Sequence, residues 1–266
     1  MQQSGFRTKV LSIALFVASY LNAGLASSLP PTCPEIQQPE LLVPNFETSI
    51  PFKEDCVSFK YGGETFKTYY KVFGDLNNDS QIPLVAIHGG PGLTHDYLLP
   101  ISDVARDGHA PVIFYDQIGN GRSTHLKQKP PTFWTVDLFV NELYNLLRAL
   151  KIQNKYNILG HSWGGELAAE FAVTWQSYGL KKLILSDAPA SSELMGQSVF
   201  GLLQAFPKDV QEGVEGGLAD PQKYFAAFSV FSAVHGCTVV PVPLPLNVSF
   251  GAVFGPHGDT SVAAAP

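Results

Sequence analysis

Gly160, Ser162 and Gly164 alternate with His161 and Trp163 between an apolar run, Tyr156 to Gly160, and a helix-like run, Glu166 to Tyr178. A serine flanked in this way sits on a strand-to-helix turn too tight for side chains at the glycine positions, and its hydroxyl points out of the sheet. The chemistry this arrangement serves is acyl transfer. Ser162 is the candidate nucleophile, and the following helix aims free N–H groups and its positive end at the place where negative charge develops. An ordinary Gly/Ser connection carries the same five-residue pattern, so the reading rests on what accompanies it.

Two further stretches do. The run Leu84-Val85-Ala86-Ile87 ends on His88-Gly89-Gly90-Pro91-Gly92. That irregular backbone can turn the N–H of Gly90 toward a reacting carbonyl oxygen, and with the N–H of Trp163 it makes a two-donor oxyanion hole. His88 reads as a structural histidine bonded to loop backbone, because a loop preceding the nucleophile does not supply the base in this arrangement. The run Pro111 to Tyr115 is followed by Asp116 to Ser123, in which Gly119-Asn120-Gly121 permits a tight turn and Asp116 and Arg122 are placed to pair across it. The Lys and Ser/Thr of a phosphate-binding loop are missing there.

Elements to position these residues follow from periodicity. Val57, Phe59 and Tyr61, then Gly62-Gly63, then Phe66, Thr68, Tyr70 and Val72 predict a β-hairpin. Short continuous apolar runs at 84–87, 111–115 and 183–185 predict buried parallel strands. Leu138, Phe139, Leu143, Leu146, Leu147 and Leu150 recur at helical spacing, with Thr135 or Asp137 as cap. The alternation from 84 to 187 predicts an α/β fold with a mostly parallel, doubly wound sheet. Ser198 to Phe206 and Pro221 to His235 predict a partial helical cap, separated by a Gly-rich linker, Glu212 to Gly217. The expected divisions are 1–26 signal peptide, 27–52 Pro-rich leader, 53–189 core, 190–250 partial cap and 251–266 low-complexity tail.

The chain has 266 residues, 45% hydrophobic composition and a net charge of -6, enough for one large domain and without the basic patch of a nucleic-acid surface. Arg7 and Lys9, the apolar run Val10 to Tyr20 and Ala23-Gly24-Leu25-Ala26 form a signal-peptide pattern, too short to span a bilayer. The mature protein is therefore expected to be secreted, with no stable membrane insertion. In that compartment Cys33 is expected to pair with Cys56, leaving Cys237 free, and Asn78 and Asn247 open glycosylation sequons. No metal cluster or cofactor fingerprint is present in the sequence.

Taken together in this order and spacing, 88–92, 116–123 and 160–165 resemble the proline iminopeptidase branch of the α/β-hydrolase superfamily, strongly over roughly 50–190. The resemblance implies release of an N-terminal residue, often proline, from a small peptide or amide through an acyl-enzyme on Ser162, with Gly90 and Trp163 as oxyanion donors. It implies cap carboxylates that hold the substrate amino group, none of which can be assigned here. Ile118 stands where many relatives carry arginine. In this fold the acid and histidine follow the serine, after two further strands. Neither strand is found, so the chain is expected to be truncated, with its last core strands missing and Leu183 to Leu185 left as an apolar edge. The candidates left for base and acid are His235, His257 and Asp187. The competing readings are an esterase or lipase sharing the same turn, and a non-catalytic hydrolase-like binding module.

Overall fold

The computed structural model describes residues 50–106, 108–175 and 178–264. The signal-peptide stretch, nearly all of the leader and Cys33 lie outside the described residues. Cys56 is disulfide-bonded and Cys237 is free.

The hairpin forms as the alternation predicts. Strand β1 (Phe52–Tyr61) pairs antiparallel with β2 (Glu64–Phe73) through Gly62 and Gly63, both left-handed as a two-residue turn of this kind requires. Strands β3 (Leu84–Ile87), β4 (Val112–Tyr115), β5 (Tyr156–His161) and β6 (Leu180–Ser186) follow. The spatial order is β1-β2-β4-β3-β5-β6, with β2 antiparallel to β4 and parallel pairing from β4 to β6. β3 and β4 are buried on both faces, which is why they read as unbroken apolar runs.

Both faces are covered along this central part. Val85 and Ile87 pack under helices α2 (Val136–Ala149) and α3 (Trp163–Trp175), through Leu138, Leu143, Leu147, Leu167 and Phe171. Ala86, Val112 and Phe114 face the other side, under Leu98 and Leu99 of the 3-10 segment His95–Ser102, which runs into the single turn α1 (Asp103–Arg106). Thr135 caps α2, its hydroxyl accepting from Leu138 N at 3.2 Å. Full burial of each large apolar side chain contributes about 1.5–3 kcal/mol.

Among the described residues the sheet ends at β6, where Leu183, Ile184 and Leu185 are 36%, 44% and 50% exposed. The expected apolar edge is present.

Beyond β6 stand α4 (Ser192–Leu203), α5 (Lys208–Glu215), α6 (Pro221–His235) and α7 (Leu244–Phe254). Three expectations differ here. The first cap helix begins at Ser192 rather than Ser198, capped by Ser191, whose hydroxyl accepts from Leu194 N at 3.3 Å. The expected Gly-rich linker is largely helix α5, because Gly213 is a packing residue: a Cβ there would lie 2.5 Å from the Ala227 Cβ of α6. The expected division between cap and tail at 250/251 falls inside α7, whose Pro245 lies in the first turn, where a missing N–H costs nothing. Asn247 lies within that helix with Ser249 buried, whereas Asn78 lies on an exposed turn.

Candidate active site

Ser162 joins β5 to α3 at φ 54°, a left-handed conformation unfavourable for a residue with a Cβ. Its backbone is held there by bonds on both sides. Ser162 N donates to Ser186 O at 2.9 Å, and Gly165 N and Glu166 N donate to Ser162 O at 2.8 and 3.3 Å. Glycine at 160 and 164 is a steric requirement: a Cβ on Gly160 would overlap the Gly164 carbonyl, and one on Gly164 the carbonyl of Ile87. The turn is therefore jammed between β3 and α3, and the strain is met by that packing.

Ser162 opens into a cavity of about 730 Å³ roofed by the cap helices. Gly90 lines it beside Ser162, while Trp163 is the first residue of α3, whose initial N–H groups lack intrahelical partners. The Trp163 indole donates to Gln117 Oε1 at 3.1 Å and ties the turn to the 116–123 loop. Tyr224, Phe228, Phe231, Phe250 and Phe254 give the cavity an aromatic wall.

Of the candidates for base and acid, His235 and Asp187 line this cavity with Ser162. His235 closes α6, its ring packed on Phe206 and Phe231 at 5.7 and 5.0 Å. His257 is exposed, is not among the lining residues, and its carbonyl accepts from Lys127 Nζ at 3.4 Å. Among the described residues no imidazole hydrogen-bonds the Ser162 hydroxyl. Asp187 stands just past β6 at φ 49°, with its side chain 83% exposed.

Two residues near the serine carry no role in the sequence reading. The Tyr97 hydroxyl accepts from Gly89 N at 2.7 Å and lies 2.8 Å from His161 Nδ1. Since the hydroxyl proton has that nitrogen to go to, Nδ1 is the acceptor and the ring proton sits on Nε2, which faces Asp187 Oδ2 at 3.9 Å. Burial lowers the His161 pKa against the opposing charge of Asp187, in keeping with a neutral ring. Burial also raises the Tyr97 pKa, so its proton stays on. The glycine loop 88–92 is thus tied through Tyr97 to His161, the residue preceding Ser162. His161 was visible inside the 160–165 pattern, but Tyr97 had no signal of spacing or type.

The loops rest on buried charge. His88 behaves as the sequence predicts: its Nδ1 donates to Gly89 O at 3.0 Å and its Nε2 accepts from Gln117 N at 3.1 Å, and burial lowers its pKa. Arg122 does lie near Asp116, at 3.6 Å, but its bidentate partner is Asp96, at 3.1 and 3.2 Å. Asp116 instead accepts from His95 Nδ1 at 2.8 Å and from the backbone of His95 and Arg122, both at 2.9 Å. Burial alone would raise the Asp116 carboxyl, but His95 and Arg122 hold it well below the usual carboxylate range. Ile118 N donates to the buried Glu142 at 3.0 and 3.2 Å, so what this position supplies here is its backbone N–H.

A six-stranded sheet in this order, with a strained serine at the end of β5 and a glycine loop at the end of β3, defines an α/β-hydrolase site. The alpha/beta hydrolase fold family model matches residues 82–229, and the chain belongs to that family, within its proline iminopeptidase branch. The chain is 32% identical over 209 residues to the proline iminopeptidase of Lactobacillus delbrueckii subsp. lactis, covering 74% of this chain and 70% of that protein. It is 39% identical over 158 residues to that of Heyndrickxia coagulans, covering 58% and 53%. The crystal structure of VinJ matches with a TM-score of 0.69 at 38% identity, covering 79% of this chain and 71% of that one. The proline iminopeptidase of Mycobacterium smegmatis matches with 0.64 at 33%, covering 79% and 69%. The chain therefore spans between about half and seven-tenths of these relatives.

Proposed function

We propose that Ser162 is the nucleophile of a serine hydrolase of the proline iminopeptidase type, which releases the N-terminal residue of a small peptide or amide. The observation that carries this reading is the left-handed Ser162 at the strand-to-helix turn, sharing one cavity with Gly90. The hydroxyl attacks the scissile carbonyl, and the N–H groups of Gly90 and Trp163 receive the oxyanion at the positive end of α3. The aromatic wall suits an apolar acyl residue such as proline.

Among the described residues no imidazole is bonded to the Ser162 hydroxyl, and we read the half of the site that activates the serine as unassembled. Without a bonded base the hydroxyl is a weak nucleophile, and we read the chain as turning over at the residual level that oxyanion stabilisation and binding supply. This favours a second reading, a hydrolase-like binding module, over an efficient enzyme. We also read the mature protein as secreted, supported by the bonded Cys56 and the exposed turn at Asn78.

Hydrolysis of a proline arylamide, an N-acetylproline arylamide and an aryl ester by the wild type and Ser162→Ala tests the assignment. We expect slow turnover that prefers the free N-terminal proline and is lost in Ser162→Ala, since the proposed acyl-enzyme forms on that hydroxyl; turnover unchanged in Ser162→Ala would overturn the assignment. Preference for the ester would instead support the esterase reading.

A further inference from the structure

The segment Asp259–Ala264 contributes no strand or helix to the serine turn, yet it forms part of the wall of the same site. Ala263 lines the cavity, and its Cβ lies 3.1 Å from where a Cβ on Gly92 of the oxyanion loop would stand. Val262 is 1% exposed and packs against Gly119 and into the core beside Trp134. The segment is fastened at its start. Asp259 N donates to Ala252 O at 2.9 Å, Ser261 donates to Asp259 Oδ1 from N and Oγ at 3.0 and 2.6 Å, and Lys127 Nζ donates to Gly258 O at 2.9 Å.

His125 provides the remaining tie. Its Nδ1 lies 2.6 Å from Asp259 Oδ2 and its Nε2 2.9 Å from Gly121 O. A carbonyl oxygen only accepts, so Nε2 carries a proton; a carboxylate only accepts, so Nδ1 carries one too. Two donating nitrogens make an imidazolium, and a neutral ring would turn a lone pair toward one of the two oxygens. We propose that protonated His125 clamps Asp259 and thereby holds segment 259–264 against the oxyanion loop at Gly92, so that this wall of the site loosens when His125 loses its proton.

The charged groups facing His125 are Asp259, which favours its proton, and Lys127, which opposes it. Burial also works against the charge but is outweighed by the bonds to Asp259 and Gly121, and the pKa is raised. For Asp259, burial is likewise outweighed by His125 and Ser261, and its pKa is lowered. A raised histidine pKa gives a clamp that is complete below the ordinary value of 6.5 and is lost as pH rises through the folded value. The lowered carboxyl pKa keeps Asp259 charged through that range.

Hydrogen exchange on the full chain from about pH 5.5 to about pH 9 tests the clamp and requires no turnover. After correction for intrinsic base catalysis, the amides of 259–264 and of Gly92 and Leu93 should open roughly tenfold more at the alkaline end, the worth of one charge-assisted bond. In His125→Asn and Asp259→Asn the same amides should exchange at the faster level at every pH. Corrected exchange that stays flat in the wild type, or variants that keep the wild-type pH dependence, would overturn the proposal. The wild-type series decides the matter even where a variant does not fold.

Discussion

The Glu142 side chain is fully buried: it accepts from Thr68 Oγ1 at 2.5 Å and from Ile118 N, and burial pushes its pKa up to about 8 against those bonds. A carboxyl whose pKa rises on folding from 4.5 to about 8 binds its proton more tightly when folded. Its contribution is thus present at acid pH and is lost as pH rises between those values. Thermal melts should show the wild type losing stability across this window and Glu142→Gln losing less, with the curves converging at acid pH. Tyr97 makes a second residue-scale case. Tyr97→Phe leaves Gly89 N without its acceptor, an orphaned donor worth about 1–3 kcal/mol, which urea unfolding would register. The places of Ser162 on its turn, of Gly90 on the same cavity and of His88 among loop backbone groups were legible because local spacing fixes them. Tyr97, Asp96 and Glu142 were not, because each acts on a partner far along the chain, as Thr68 and Glu142 do across 74 residues.

At the scale of elements, the hairpin, β3, β4 and α2 were readable because one face or both faces are buried and the period shows it. The cap was read less well. Gly213 resembles a breaker in sequence, but the close approach of α5 to α6 needs its missing side chain. Gly213→Leu should therefore push the two helices apart and cost about 1–3 kcal/mol in chemical unfolding. The prolines at 241, 243 and 245 likewise obscured α7, which begins at Leu244 and carries Pro245 in its first turn. Strand β6 carries the opposite lesson: its apolar run predicted a buried strand, while the absence of following strands predicted the exposed edge that the fold shows. An uncovered apolar edge pairs with other chains. Ile184→Lys should lower aggregation measured by light scattering, while the melting temperature changes little, because Ile184 is already 44% exposed.

Among its described residues the molecule combines the serine turn and the glycine loop 88–92 with a sheet whose last strand, β6, lies one beyond the strand that carries Ser162. His235 and Asp187 share its cavity, His257 does not, and no described imidazole bonds the Ser162 hydroxyl. The central claim is that the nucleophile is positioned but not activated. Labelling of the intact chain with a fluorophosphonate probe, read by mass spectrometry beside Ser162→Ala, tests it most directly. The account predicts a folded protein that stays unmodified while a hydrolase with an intact triad is fully labelled. Rapid, stoichiometric labelling that disappears in Ser162→Ala would contradict it and would place a working base, with His235 the first to examine, within reach of the serine.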